Sequence, residues 1–218
     1  MSNFGKLLNQ RKVFIAQVYA ILAIQLAITF TIAKYLRNHQ PIYKFAIKFF
    51  IPLALLSFII IFMFPFVPSY FKFGLFCIFS FIFGILSIGA TKLVSNEIIE
   101  VALLSTIGVF IGMTVIGLGL ASIGIDLNFM TYILLSALIG LIIVRFVLLF
   151  VDVNHKVNKY LATFSIILFS IFVAYDTNRM LQKNYSFDQL DTAMSFYLDI
   201  ENLFTNFVEM NLNQNGGK

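Results

Sequence analysis

The segment Phe169-Ser170-Ile171-Phe172-Val173-Ala174-Tyr175-Asp176-Thr177-Asn178-Arg179-Met180 is an apolar run with one aspartate set inside it. A second run of the same kind follows, Ala193-Met194-Ser195-Phe196-Tyr197-Leu198-Asp199-Ile200-Glu201-Asn202-Leu203-Phe204. An ionisable group in an apolar segment is costly in lipid, so it faces the bundle interior or a wet cavity and marks a candidate functional position. Helical spacing sharpens this. Phe196, Leu203 and Phe207 fall at i−3, i+4 and i+8 from Asp199, on its own stripe, while Ser195, Asn202 and Glu209 line another face. Asp176 shares its stripe with Phe169, Phe172 and Val173.

Working outward, the whole chain is built for a bilayer. Of its 218 residues, 60% are hydrophobic and only 11% charged, and the mean hydropathy is +0.94. That leaves too few charges to coat a water-facing surface. The fold class is all-α, a multi-pass bundle of seven transmembrane helices in one domain. The spans are read at residues 13–36, 46–66, 71–91, 98–122, 128–151, 157–180 and 192–210. The last is the weakest, and its polar residues also fit a re-entrant segment. The first run, ending Ala33-Lys34-Tyr35-Leu36-Arg37, lacks a small-residue cleavage site and reads as a retained helix. Pro52 is placed near the start of the second span, where a missing N–H does least harm.

Gly108 and Gly112, and Ser136 and Gly140, have the small-xxx-small spacing that lets helix backbones approach closely. Gly117, Gly119 and Gly124 lack the strand and acidic partner of a nucleotide-binding unit, so they read as packing residues or a flexible helix end. Cys77 is a lone cysteine among phenylalanines, and His39 and His155 lie in polar connections without further ligands, which argues against a metal site. The net charge of +5 sits in loops and ends. It suits anionic lipid headgroups and gives no reason to expect nucleic acid. Without tryptophan, an aromatic belt falls to tyrosines such as Tyr35, Tyr43, Tyr70 and Tyr160.

Seven spans put Lys6, Arg11, Lys12, Lys72, Arg179 and Lys183 on one side, against Lys34, Arg37, Lys44, Lys48, Lys92, Lys156, Lys159 and Lys218. The two counts are too even for the positive-inside rule. Arg145, in the fifth span, is about 10 Å from the helix end near Asp152. It either snorkels or supplies an interior counter-charge. Plainer readings exist for the aspartates too: an i,i+3 ion pair of Asp176 with Arg179, and an interfacial polar anchor for Asp199. If the two carboxylates meet, they cannot both be ionised cheaply and would share a proton. Such a pair holds two helices together when protonated and drives them apart when fully charged. Ionised, it offers hard oxygens to Ca²⁺.

The block Ala174-Tyr175-Asp176-Thr177-Asn178-Arg179, followed by Ser195-Phe196-Tyr197-Leu198-Asp199-Ile200-Glu201-Asn202-Leu203-Phe204, resembles the C-terminal signature of the Bax inhibitor family. The stretch Val18-Tyr19-Ala20-Ile21-Leu22-Ala23-Ile24-Gln25-Leu26 is similar to that family's first helix. The resemblance implies a seven-helix bundle that leaks Ca²⁺ in a pH-dependent way, with Asp176 and Asp199 as sensor and gate. Both would be transient ligands of Ca²⁺, the permeant ion, with no resident cofactor. Eukaryotic relatives sit in internal membranes and suppress cell death, whereas bacterial ones sit in the cell membrane. An internal membrane is likewise expected for a viral member. Two departures stand out. Phe49 to Phe64 lacks the basic latch residue of bacterial relatives, leaving Lys48 or Arg145 as substitutes, and Glu201 adds a carboxylate beside the motif. Arg145, Arg179 and Glu201 are thus candidate counter-charges of the gate.

The expectation is a channel and not an enzyme, with lipid, Ca²⁺, H⁺ and possible membrane-protein partners. A non-conducting scaffold acting through such partners is the alternative. An intramembrane aspartyl protease is more remote: its second aspartate belongs in a Gly-x-Gly-Asp turn before a Pro-Ala-Leu motif, and no proline follows Pro68 here.

Overall fold

A computed structural model of the chain describes residues 3–92, 94–148, 150–151, 154–182, 186 and 188–215. Asp152, Lys183 and Lys218, named above, lie outside the described residues. The α-helices are α1 (Asn3–Leu36), α2 (Gln40–Lys48), α3 (Phe50–Met63), α4 (Ser69–Thr91), α5 (Asn96–Ser122), α6 (Thr131–Val147), α7 (His155–Met180) and α8 (Gln189–Asn215). No strand occurs among the described residues. Side chains cap several of them. Ser95 accepts from the Ile98 amide before α5, and Asn154 accepts from the Lys156 amide before α7.

Among the described residues, five helical stretches are long and apolar enough to cross a membrane: Leu8–Leu36, Ser69–Ile88, Asn96–Ser122, Leu127–Val147 and His155–Met180. They coincide with five expected spans, except that α6 stops at Val147, short of the expected 151. The expected span 46–66 is not one rod. It is the pair α2 and α3, bent by 70° at Phe49, and it makes a sixth crossing if the two are counted together. Pro52 explains the break. Counted from Ala46 it stands inside the helix and not in a first turn, so its ring displaces the carbonyl four residues back, on Lys48. That is where α2 ends. The seventh expected span, 192–210, is helical throughout within α8. It carries Asp199, Glu201, Asn202, Asn206 and Glu209 and is not among the apolar crossings. Much of it is buried, and Asn202, Asn206 and Asn211 each donate to the carbonyl four residues back. Such local bonds let a polar helix be enclosed by protein.

Large apolar side chains of α3, α5 and α6 are exposed, among them Phe58, Phe62, Leu104, Val115, Ile133 and Phe146. Faces of that extent are aggregation-prone in water and ordinary against lipid tails.

The chain divides into two compact units. The first comprises residues 1–11, 95–185 and 198–218. Here α5 packs along α7, and α6 also packs on α7. The close approach is at Gly117, where an added Cβ would lie 2.5 Å from the Ala174 carbonyl oxygen and 2.8 Å from Thr177 Cβ. Gly108, Gly112 and Gly140, expected at close contacts, face open space, whereas Gly117, also read as a packing residue, makes one. Gly124 turns the chain after α5 with φ +82°, a conformation that glycine adopts without strain.

The second unit comprises residues 12–94 and 186–197. Both α2 and α3 pack on α4, and Gly84 of α4 sits against Ile32 of α1. A buried polar thread runs through it. Ser80 Oγ donates to Gln25 Oε1 at 2.8 Å, Thr29 Oγ1 donates to the Ser80 carbonyl at 3.1 Å, and the Thr29 and Tyr197 hydroxyls are 2.5 Å apart. Phe76 and Phe79 meet the Tyr197 ring edge-on at 5.4 and 5.7 Å. The fixed aromatic cage and satisfied hydroxyl set the rotation of α8 at Tyr197.

Candidate functional site

The stripe read from the sequence is the buried one. Asp199 is 4% exposed, and Phe196, Leu203 and Phe207 on its stripe are buried with it. Asp199 Oδ2 is withdrawn from solvent and has no hydrogen-bond partner among the described residues. Asp176, half-buried on α7, acts electrostatically on Asp199. Both belong to the first unit. The arrangement is two carboxylates within electrostatic reach, one with a buried oxygen lacking a partner among the described residues, and full ionisation of both is costly.

Arg179, one turn after Asp176, acts on that carboxylate, and its guanidinium stands 5.8 Å from the centre of the Tyr175 ring. The plain i,i+3 reading of Asp176 therefore has an electrostatic counterpart here. Tyr175 is held in turn by a 2.7 Å contact between its hydroxyl and Thr131 Oγ1 of α6. Glu201 is buried on α8. Arg145 neither snorkels freely nor bonds the aspartates. It donates to Glu209 Oε2 at 2.7 Å and to Asn206 Oδ1 at 2.6 Å, tying α6 to the last turns of α8. Lys48, the other candidate latch, is exposed in the second unit, with its ammonium over the Phe49 ring.

Asn178 was passed over in the sequence and holds the site's framework. Its side-chain oxygen accepts from the Leu127 amide at 3.0 Å, and its nitrogen donates to the Ile125 carbonyl at 2.8 Å. These bonds fasten the connection after α5 to the turn of α7 that carries Asp176. Asn178→Ala leaves the Leu127 amide buried and unpaired, at roughly 1–3 kcal/mol, and frees the part-buried Ile125 carbonyl. A lower thermal midpoint and faster proteolysis between residues 123 and 130 are expected, and unchanged cleavage there would remove the clamp assignment.

Lys72 was also underread. It is 4% exposed, and its ammonium bonds Asp191 Oδ1 at 2.6 Å and Asp188 Oδ2 at 3.0 Å. Ser69 donates to Asp188 as well. Burial opposes the Asp188 charge most strongly, yet the Asp191 amide, Lys72 and Ser69 together hold it below the ordinary carboxylate range. Asp191 is held above that range by burial, aided by the Asp188 charge. A lysine inside the span at 71–91 was the available signal, because such a group demands a partner.

Helices of membrane length that bury paired carboxylates define a polytopic membrane protein with an ionisable interior. Residues 11–217 match the family described as "Inhibitor of apoptosis-promoting Bax1". The chain is 30% identical to the LIFEGUARD 4 protein of Arabidopsis thaliana, over 88% of this chain and 81% of that one. Identity to LIFEGUARD 1 of the same plant is 26%, over 89% and 86%. An uncharacterised Helicobacter pylori protein is 32% identical over 59% of this chain and 58% of its own length. The chain belongs to the Bax inhibitor family.

Proposed function

We propose that this protein is a pH-sensitive calcium leak channel, gated by Asp176 and Asp199 and performing no covalent catalysis. The supporting observation is the buried Asp199 oxygen, without a hydrogen-bond partner among the described residues and within electrostatic reach of a second carboxylate. While the pair holds one shared proton, its net charge is halved and α7 and α8 stay together, with the path closed. When that proton leaves, two negative charges face each other in a medium that screens them poorly, and the helices separate. The exposed carboxylates then offer a passing Ca²⁺ at most four of the six to eight oxygens it takes, with water supplying the rest. Weak, partial coordination suits a permeant ion, which must be able to leave.

A double-mutant cycle tests the gate. Asp176→Asn, Asp199→Asn and the double variant would be compared by Ca²⁺ flux in liposomes. A coupled pair predicts that either single substitution removes most of the pH dependence and that the second adds little. Additive effects, or two single variants with wild-type pH profiles, would remove the shared-proton gate. Well-folded protein with no flux at any pH would instead favour a scaffold.

A further inference from the structure

We infer that the end of the second unit where α1 stops, α2 runs and α4 finishes is a binding surface for the phosphate of an anionic phospholipid, met by Lys44, Lys48 and Lys92. Charge is the first argument. Residues 12–94 contain no aspartate or glutamate at all. Lys44, Lys48 and Lys92 therefore have no carboxylate within residues 12–94 to balance them. The remaining cation of α4, Lys72, is about 30 Å away along the helix and already bonded to Asp188 and Asp191.

Geometry gathers these cations. Arg37 donates to the carbonyl of Val94, fastening the end of α1 to the segment after α4. Lys92 lies over the Tyr43 ring of α2, 3.9 Å from its centre. The two contacts bring three chain segments to one place. Lys92 Nζ is withdrawn from solvent and has no hydrogen-bond partner among the described residues. An ammonium carries three donors, and leaving them unmade is costly. Its four-carbon stem lets it swing from the ring to a phosphate oxygen.

The shape of α2 points to a lipid as the source of that phosphate. Ala46 is its buried residue, and Phe45, Ile47 and Phe49 are exposed beside the exposed Lys44 and Lys48. A short helix with bare phenylalanines and lysines, bent 70° from the apolar helix after it, is built to lie in the interface plane. Its rings enter the acyl boundary and its lysines stay among the headgroups. A soluble phosphate would satisfy the lysines and leave the phenylalanines uncovered.

The test uses the full-length protein in phosphatidylcholine vesicles with and without phosphatidylglycerol. After mild extraction, retained lipid is read by native mass spectrometry. Wild type is expected to enrich phosphatidylglycerol, and Lys44→Gln/Lys48→Gln/Lys92→Gln to lose that enrichment, by about fivefold for each lysine engaged. Lys156→Gln/Lys159→Gln, which removes two exposed lysines of α7, should retain it. Lys44→Gln/Lys48→Gln alone, confined to exposed side chains, gives the same reading should the triple variant fail to fold. The inference is overturned by equal enrichment in wild type and variants, or by no enrichment in wild type. Displacement of the lipid by glycerol phosphate at similar concentration would make this an anion site and overturn the lipid assignment.

Discussion

Lys72→Met is expected to be the most damaging single substitution in the second unit. The methionine fills much of the same space, so packing changes little. What changes is charge: Asp188 and Asp191 are left facing each other with the ammonium that joined them gone. Removing one partner of a fully buried ion pair costs about 3–5 kcal/mol. Asp188 keeps 27% of its side chain exposed, which lowers the expectation to roughly 2–4 kcal/mol. At 2–4 °C per kcal/mol for a chain of this size, the thermal midpoint in lipid nanodiscs should fall by roughly 4–16 °C. Lys72→Met/Asp188→Asn/Asp191→Asn should recover much of the loss. A single variant as stable as wild type would show that the clasp contributes nothing.

The same clasp carries a pH signature. The folded value of Asp188 lies below its unfolded value of about 4. Its contribution is therefore present above pH 4 and lost as pH falls through the lowered folded value. Asp191, held above the ordinary range, has the opposite sign, contributing below its unfolded value and losing that contribution as pH rises through the folded one. On acidification Asp191 takes the first proton and Asp188 the second. The midpoint difference between wild type and Asp188→Asn should be full-sized above about pH 4 and shrink below it. A difference that grows on acidification would contradict the assignment.

Gly117→Ala is expected to disrupt the contact of α5 with α7 in the first unit. An alanine usually stabilises a helix interior by roughly 0.5–1 kcal/mol relative to glycine, and Gly112→Ala, facing open space, should behave that way. At Gly117 the new methyl meets the Ala174 carbonyl at 2.5 Å. Backbone cannot rotate aside, so α5 and α7 must separate. Overpacking of this kind costs about 1–3 kcal/mol, and the displaced turn of α7 is the one carrying Asp176. The two substitutions should therefore shift the midpoint in opposite directions. Equal shifts would mean that α5 and α7 do not approach at this point.

Hydropathy located most of the helices, because membrane length and apolarity are properties of a segment by itself. The Asp199 stripe was legible for a similar reason: polar and apolar faces of the last helix differ enough for spacing to show which side is inside. Elsewhere the helices are apolar all round and their rotation leaves no trace in the sequence. That is why the sequence offered Gly108, Gly112 and Gly117 alike as packing residues, while only Gly117 of the three meets a neighbouring helix. Partners distant in the chain were equally hidden. Lys72 finds Asp188 and Asp191 across the whole middle of the sequence, and Arg145 finds Glu209 instead of the aspartates. The bend at Phe49 was open to reading, since Pro52 forbids a continuous helix from Ala46, but the boundary of the apolar run concealed it.

The Asp176–Asp199 pair is proposed to set when Ca²⁺ passes. The most direct measurement of this is Ca²⁺ entry into dye-loaded liposomes containing the purified protein, between about pH 5 and 8, for wild type beside Asp199→Asn. The account predicts flux that rises as the pair loses its proton in wild type and a flat profile in the variant. A wild-type profile that survives the substitution unchanged would contradict it.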